Sequence, residues 1–290
     1  MGVDGTVTWR ELWDETAARI GGDAARPRAR WLCEEASGYE GTEFADVLDR
    51  PATQRTVAAL DRMVARYLAG EPLQYVLGSW TFRSVSLMVD RRVLIPRPET
   101  EQVVEVALGL ARSSQRPLTL VDLGTGSGAI ALSLAAELPL TGVTVWATDA
   151  SPDALAVARA NLSGIGRAAA NVHVVEGRWF DALPSELRGV VDVIVSNPPY
   201  VALTDELDAA VRVWEPLDAL LAGVDGLDDV RQIVAGAPAW LRPGGWLVVE
   251  IGASQGSAVA ALAGAAGLAD VTVRPDLAGR DRMLVARRPV

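Results

Sequence analysis

The sequence contains no lysine, so all 27 of its basic residues are arginines. Asp and Glu number 37, and the formal net charge is −10. Proteins that bind nucleic acid neutralise its phosphates with clustered lysine and arginine. The acidic balance therefore argues against a nucleic-acid-binding protein, although a net charge is an average and leaves room for a local basic groove. The absence of lysine also removes any Tyr-x-x-x-Lys catalytic pair.

Cysteine occurs once, at Cys33, so no disulfide can form within the chain. A single thiol fits a reducing compartment, and the surrounding RPRARWLCEEAS predicts a buried position in a helix. The N-terminal stretch MGVDGTVTW lacks the apolar core of a signal peptide. The longest uncharged run, residues 251–269, is weakly apolar and predicts a small-residue helix packed on a sheet instead of a membrane span. We therefore expect a cytoplasmic protein with no membrane partner.

Hydrophobic periodicity divides the chain into three parts. Residues 8–70 carry apolar positions at helical spacing, and Thr8 with Glu11 forms a capping-box pattern at the first helix. Residues 74–95 alternate and are rich in β-branched and aromatic residues, as in a β-hairpin. The predicted domains are an N-terminal helical bundle over 1–72, a β-hairpin linker over 73–95 and a larger domain over 96–290.

The larger domain begins with a predicted helix that Thr100 caps and that runs to about Arg112. From residue 118 onward, apolar strands alternate with helices. Strands that are apolar on both faces need helices on each side, which is typical of a parallel α/β sheet. The last two strands are separated only by LAGR, so we expect them to pair antiparallel at one edge.

Three glycines, Gly124, Gly126 and Gly128, lie between a strand and a helix in VDLGTGSGAIALSLA. Glycines permit a tight turn and let the backbone approach a ligand closely. Asp149 ends the next strand, where a carboxylate can accept both hydroxyls of a ribose. Trp179 follows the third strand and can cover an adenine face, or it can be a core residue. The pattern suits NAD and S-adenosyl-L-methionine equally.

The residues after the fourth strand distinguish between NAD and S-adenosyl-L-methionine as the cofactor. A hydride-transfer enzyme needs an acid–base group, but the only histidine, His173, lies within a predicted strand and is expected to be structural. The fourth strand ends instead in Asn197, Pro198, Pro199 and Tyr200. Both prolines lack an N–H, so the backbone presents only carbonyls beside the Asn197 side chain. This predicts a rigid cradle with two acceptors, suited to a planar –NH₂ that attacks an already activated methyl group.

GTGSG, Asp149 and NPPY together resemble the class I S-adenosylmethionine-dependent methyltransferases that act on planar nitrogens. Further segments narrow the choice of substrate within this class. Together with the motifs above, they resemble the peptide chain release factor glutamine methyltransferases, the PrmC or HemK family. These segments are EPLQYVLGSWTF, VLIPRPETE, GRWFDAL, EPLDALLAGVDGL, EIGASQG and DLAGRDRM. The likeness runs from about residue 71 to 287. It implies a class I methyltransferase fold, which is Rossmann-like with a seven-stranded, mostly parallel sheet.

The resemblance also implies an activity and a set of site residues. The family methylates the side-chain amide nitrogen (N5) of the glutamine in the Gly-Gly-Gln motif of class-one release factors, with S-adenosyl-L-homocysteine as product. Cofactor binding is then expected at Gly124, Thr125, Gly126, Ser127, Gly128, Asp149, Trp179 and Asn197. The catalytic and substrate-binding cradle is expected at Asn197, Pro198, Pro199 and Tyr200.

The resemblance implies less about the RPETE segment, residues 97–101, and about the hairpin. Arg97 and Glu99 are expected either to enclose the substrate loop or to form only a stiff linker and helix cap. Arg83 departs from the family, which commonly has a glycine there, so the hairpin turn is not predicted. We expect the helical bundle to recognise the substrate, the enzyme to be a monomer, and the site to use no metal.

Two other functions stay open on the sequence alone. Nucleic-acid amino-group methyltransferases also carry NPPY-type tetrads, and a binding module could keep a degenerate cofactor site. The acidic balance and the RPETE segment favour a protein substrate with a basic surface over bare nucleic acid.

Overall fold

The structure is a computed structural model that describes residues 6–113 and 117–290. The chain forms two compact units, Met1–Gly78 and Ser79–Val290. The first five residues of the N-terminal stretch considered above lie outside the described residues.

The first unit is helical in its described part. Its helices are α1 Trp9–Ile20, α2 Ala25–Ser37, α3 Gly41–Val47, α4 Gln54–Leu68 and α5 Leu73–Leu77. The predicted capping box is present, because the Thr8 hydroxyl accepts from the Glu11 N–H while the Glu11 carboxylate accepts from the Thr8 N–H at 2.9 Å. Cys33 is buried in the core beside Leu32 and Phe44, and burial raises the pKa of its thiol to about 12. The buried, helical position is the one that the sequence predicts, and a thiol with so high a pKa is unreactive at neutral pH.

The helical unit extends further along the chain than the sequence predicts. Residues 73–77, expected at the start of the hairpin, form helix α5, and the unit ends at Gly78. Gly78 closes this helix in the left-handed conformation, with its N–H donating to Gln74 O at 2.9 Å. Alternating apolar residues misled the prediction here, because a five-residue helix is too short to show its own period.

The hairpin itself opens the second unit, with β1 Ser79–Phe82 paired antiparallel to β2 Val85–Met88. Arg83 in its turn has a φ of 51°, a left-handed conformation that favours glycine. Its guanidinium is bound on one side by Glu137, at 2.7 and 2.8 Å, and on the other by Glu105 at 2.7 Å. These ion pairs are the physical reason why arginine is tolerated at a position suited to glycine.

A seven-stranded sheet forms the centre of the second unit. Its strands are β3 Leu118–Leu123, β4 Val143–Asp149, β5 Val172–Glu176, β6 Val191–Ser196, β7 Leu241–Glu250, β8 Ala269–Pro275 and β9 Asp281–Arg287. Their order is β5-β4-β3-β6-β7-β9-β8, with the first five parallel. β9 runs antiparallel to both β7 and β8, so the predicted antiparallel edge is confirmed. β3 and β6 are buried nearly throughout, as strands covered on both faces must be.

Helices and short 3-10 turns surround this sheet. The helices are α6 Pro98–Arg112, α7 Ala129–Glu137, α8 Pro152–Leu162, α9 Ala209–Trp214, α10 Asp228–Trp240 and α11 Gly256–Ala265. The 3-10 helices are Ser163–Asn171, Trp179–Ala182, Ser185–Leu187 and Leu217–Ala219. The uncharged run 251–269 contains α11, which lies between β7 and β8 as predicted.

The prediction that Thr100 caps the helix of the RPETE segment is wrong. Arg97 occupies the N-cap of α6 and Pro98 the first helical position, where a missing N–H costs nothing. Thr100 therefore lies inside the first turn, and it is buried. Within the described residues, no helix is both long enough and apolar enough to cross a membrane.

The Arg83 turn gives a testable prediction. Replacing Arg83 with asparagine keeps a residue that tolerates the left-handed conformation but removes the guanidinium that binds the Glu137 carboxylate, which is only 20% exposed. We expect the free energy of unfolding to fall by about 1–3 kcal/mol in urea denaturation. Arg231→Asn is the matched control, because it removes an arginine whose two ion pairs are solvent-exposed and should change little. Equal losses in the two variants would contradict the role given to Arg83.

Candidate functional site

The candidate site lies at the topological switch point of the parallel sheet, where the strand order reverses. The chain runs from β3 outward through β4 to β5 and then returns to β6, which pairs with β3 on its other side. In open α/β sheets, ligands bind outside the carboxyl ends of the strands at such a point. The loops after β3, β4, β5 and β6 therefore meet here, and they carry the sequence motifs singled out above.

The glycine turn after β3 is held against the neighbouring strand. The N–H groups of Gly124 and Thr125 both donate to Thr148 O, at 2.9 and 2.8 Å. Gly124 has a φ of 73°, and a Cβ added there would lie 3.1 Å from the Trp179 ring. Glycine is required for both reasons, because the turn is left-handed and the indole of Trp179 packs directly on it.

A buried carboxylate, Asp122, lies beneath this turn and was not singled out from the sequence. Its Oδ2 accepts from the Thr125 hydroxyl at 2.6 Å and from the Ala131 N–H at 3.1 Å, while its Oδ1 accepts no hydrogen bond. Burial raises the pKa of Asp122 to about 7, against the two hydrogen bonds that lower it. Asp122 thus fastens the end of β3 to the start of α7. Its place at the end of the apolar run LTLVDL was the available signal.

Asp149 ends β4 and faces the same turn. Its Oδ2 accepts from the Gly126 N–H at 2.8 Å and its Oδ1 from the Ser151 N–H at 2.9 Å. Ser151, and not Asp149, caps helix α8 through its hydroxyl. Burial raises the pKa of Asp149 while the backbone N–H groups oppose that rise. The carboxylate oxygens keep lone pairs that can accept further hydrogen bonds.

Trp179 and its neighbours close the side of the site next to β5. Trp179 has a φ of 48° and packs on Gly124, while Phe180 stacks on Trp240 with ring centroids 5.8 Å apart. Of the two aromatics, Trp179 therefore faces the site and Phe180 belongs to the core. Arg178 donates to Asp229 at 2.6 Å, which places an ion pair beside Trp179.

The NPPY segment after β6 is fixed by hydrogen bonds on both sides. Ser196 donates from its hydroxyl to Leu123 O at 2.6 Å, which joins the ends of β6 and β3. Gln255, another residue the sequence analysis missed, donates from Nε2 to Tyr200 O at 2.9 Å and to Gly226 O at 3.1 Å. Pro198 is buried, whereas Asn197 and Tyr200 are partly buried.

The Asn197 side chain continues into a buried chain of polar groups. Its Nδ2 donates to Thr100 Oγ1 at 3.2 Å, and Thr100 Oγ1 donates to Glu250 Oε2 at 2.7 Å. Glu250 ends β7 and is fully buried. Burial raises the pKa of Glu250 to about 7, and burial together with the nearby Glu250 charge raises the pKa of Tyr200 to about 12.

One cavity of about 560 Å³ joins most of the predicted residues. The predicted residues that line it are Gly124, Thr125, Gly126, Ser127, Asp149, Trp179, Asn197 and Pro199. Thr100, Arg178 and Asp229 also line it and were not assigned to the site from the sequence. The volume falls in the range of small-molecule and cofactor sites. His173 lies instead on β5, exposed and stacked on Trp146 with ring centroids 4.4 Å apart.

Several predicted site residues do not line this cavity. Gly128 precedes α7 as its N-cap, and of the four cradle residues Pro198 and Tyr200 are not part of the cavity lining. Arg97 pairs with Glu215 at 2.5 Å, and Glu215 also accepts from the Ile95 N–H. Glu99 faces Arg280 at 3.6 Å. Arg97 in this arrangement holds the RPETE segment to the loop that contains Glu215.

The described residues, 6–113 and 117–290, contain no group of three or more His, Cys, Asp or Glu side chains placed to hold a metal ion. The groups that line the cavity include the backbone of the glycine turn, the carboxylates of Asp149 and Asp229, the Trp179 indole and the Asn197 amide.

Comparisons with known proteins bear on the fold and the family of the chain. A family model described as Methyltransferase small domain matches residues 110–217, and one described as PrmC N-terminal domain matches residues 11–78. Solved structures of a methyltransferase from Pyrococcus furiosus (17% identity, 79% of this chain, 99% of that chain, TM-score 0.52) and of the hMettl16 catalytic domain (16%, 89%, 92%, 0.54) share the fold. The fold is thus that of class I methyltransferases, as predicted.

Curated relatives match along nearly the whole chain. The release factor glutamine methyltransferase of Cereibacter sphaeroides is 44% identical over 276 residues, which cover 94% of this chain and 94% of the relative. Those of Moorella thermoacetica (42% identical, 97% and 99% covered) and Geobacter sulfurreducens (39%, 97% and 96%) match similarly. At this identity and coverage, the chain belongs to the release factor glutamine methyltransferase family.

Proposed function

We propose that this protein transfers a methyl group from S-adenosyl-L-methionine to the side-chain amide nitrogen of the glutamine in the Gly-Gly-Gln motif of class-one release factors. One observation carries the proposal. The Asn197 amide lines the same cavity as the glycine turn and Asp149, so a planar –NH₂ and a nucleoside cofactor can meet there. The named activity of the relatives supports the choice of glutamine as substrate.

The residues around the cavity fit this cofactor. The Asp149 carboxylate suits two ribose hydroxyls, and the Trp179 indole offers a flat face beside the turn. Gly124 and Gly126, without side chains, leave room for the methionine end. When bound, S-adenosyl-L-methionine supplies a sulfonium-activated methyl group and leaves as S-adenosyl-L-homocysteine.

The chain's own contribution is to bind and align the amide. An amide nitrogen is a weak nucleophile because its lone pair is delocalised into the carbonyl. In the proposed mechanism, Asn197 Oδ1 and the carbonyls of the Pro198–Pro199 backbone accept from the two N–H hydrogens of the substrate. These acceptors stabilise the positive charge that grows on nitrogen and hold it in line for attack. One proton is lost from the nitrogen afterwards, so no strong base is needed before the transfer.

Other parts of the proposal concern the partner and its recognition. We propose that the helical unit takes part in recognising the release factor, with Arg97 and Glu99 placing the RPETE segment. The net charge of −10 suits a partner with a basic, ribosome-binding surface. On this proposal the enzyme acts as a cytoplasmic monomer and does not bind nucleic acid directly.

Methyl transfer to the proposed substrate is the direct test. Incubating the protein with labelled S-adenosyl-L-methionine and an unmethylated release factor should label one glutamine, and mass spectrometry of the Gly-Gly-Gln peptide should locate the added methyl. A release factor whose motif glutamine is replaced by alanine is the control and should stay unlabelled. Labelling of DNA or RNA in place of the release factor would contradict the assignment.

The acceptor role of Asn197 predicts a severe loss. Asn197→Ala removes a side-chain acceptor from the cradle, and we expect kcat/KM to fall about 100-fold or more with the thermal midpoint nearly unchanged. Asn171→Ala is the matched control, since the amide of Asn171 donates to Leu140 O at 3.0 Å and does not line the cavity. An active Asn197→Ala enzyme would show that the acceptor argument is wrong.

The role of Asp149 predicts a different kinetic signature. Asp149→Asn cannot accept from the Gly126 and Ser151 N–H groups and from a ribose together, so the Kd for S-adenosyl-L-methionine should rise about 10- to 100-fold by calorimetry. At saturating cofactor, kcat should be largely retained. Asp153→Asn, on the exposed first turn of α8, is the control and should leave the Kd as it is. A lowered kcat with unchanged Kd would place Asp149 elsewhere in the reaction.

A further inference from the structure

We propose that Glu250, acting through the Thr100 hydroxyl, is a positioning residue that fixes which end of the Asn197 amide faces the substrate. This inference rests on the proposed function for its kinetic consequence, but its geometric content concerns only the three side chains. Glu250 and Thr100 come from different elements, the end of β7 and the first turn of α6.

The order of donors and acceptors carries the argument. A threonine hydroxyl has one hydrogen, and here Thr100 Oγ1 donates it to Glu250 Oε2 at 2.7 Å. Thr100 therefore has only lone pairs left for Asn197, and only the Nδ2 end of that amide can donate to them, at 3.2 Å. Asn197 Oδ1 must then point away from Thr100. An outward Oδ1 is the acceptor that a substrate –NH₂ requires.

The reverse orientation would abolish the cradle. An amide is similar in shape at its two ends, so packing alone discriminates poorly between them. A flipped Asn197 would present its own –NH₂ to the substrate –NH₂, which places donor against donor. Because a carboxylate can only accept, ionised Glu250 removes this alternative by fixing the direction of the Thr100 hydrogen.

The surroundings of Glu250 make its charge changeable near neutral pH. Its Oε1 is buried and accepts no hydrogen bond, and the titratable or charged groups that face it are Glu99 of α6, the Tyr200 phenol after β6 and Arg282 of β9. Burial raises the pKa of Glu250 to about 7, while Thr100, Arg282 and the Tyr200 phenol oppose the rise. A protonated Glu250 can donate to Thr100, which frees the threonine hydrogen to turn toward Asn197. The competent orientation is therefore enforced above pH 7, and this constraint is lost as the pH falls through 7.

Variants at Thr100 and Glu250 separate orientation from packing. Thr100→Val keeps the shape but removes the hydroxyl, and we expect kcat/KM for the release factor to fall about 10- to 100-fold with the cofactor Kd unchanged. Thr100→Ser restores the hydroxyl and should recover activity to within about threefold of wild type. Thr272→Val, which removes a threonine hydroxyl from β8, is the matched control and should behave as wild type. Wild-type kcat/KM in a folded Thr100→Val enzyme would overturn the proposal.

A measurement on Asn197 itself tests the inference apart from the reaction. In the ¹⁵N-labelled protein, the Asn197 side-chain amide signal, assigned by its loss in Asn197→Ala, should shift between pH 6 and 8 with a midpoint near 7. In Glu250→Gln that midpoint should disappear, because the glutamine does not titrate. The pKa of Asp122 is also raised to about 7, and Asp122 still titrates in Glu250→Gln. A midpoint near 7 that persists in this variant would therefore come from a group other than Glu250, such as Asp122.

The two failures are distinguishable. If wild type does not methylate the release factor, the proposed function is wrong, while the amide signal still decides the orientation. If wild type is active but the Asn197 signal does not titrate, or titrates unchanged in Glu250→Gln, the role of Glu250 is wrong and the proposed function stands.

Discussion

The pairing of β3 with β6 is the constraint on which the site depends. These strands are adjacent in the sheet, with Leu123 opposite Ser196, although β4 and β5 come between them in the chain. The hydrogen bond from the Ser196 hydroxyl to Leu123 O locks the two strand ends together at 2.6 Å. The glycine turn and Asn197 therefore leave the sheet side by side. A slip in this register would separate the cofactor turn from the cradle while leaving both motifs intact in the sequence.

Two buried carboxylates hold the segments that follow or face the ends of β3 and β6. Asp122 near the end of β3 binds the Thr125 hydroxyl, and Glu250 at the end of β7 binds the Thr100 hydroxyl. In both, one oxygen is satisfied, the other accepts no hydrogen bond, and burial raises the pKa to about 7. Burying a carboxylate costs free energy of desolvation. In return, an ionised carboxylate can only accept, so the single hydrogen of the neighbouring hydroxyl must point to it, whereas a neutral amide in the same place could either accept or donate. The same arrangement, a buried carboxylate that accepts from a threonine hydroxyl, thus occurs both at the glycine turn and beside the cradle.

The sequence predicted the fold and the cavity well because their signals are local. Strand period, glycine spacing and the NPPY tetrad each lie within one segment, and the cavity brings together Gly124, Asp149, Trp179 and Asn197 as those signals suggested. Thr100 was misassigned as a cap because a threonine before a helical pattern has that local meaning. Its partner, Glu250, lies on a distant strand, and no local pattern marks a contact of that separation. Arg83 was unpredictable for the same reason, since Glu105 and Glu137 become its neighbours only in the folded chain.

The choice of asparagine in the cradle creates a problem that the buried network answers. An amide brings an acceptor without a charge or a competing proton, which suits a transfer that needs alignment more than a base. It also brings a donor of nearly the same shape, so the cradle works in only one of two orientations. A carboxylate in the same place would have no such ambiguity, but it would titrate and would need its own cation. Placing the ionisable group two hydrogen bonds away, at Glu250, keeps the reacting surface neutral and still gives the amide a fixed direction.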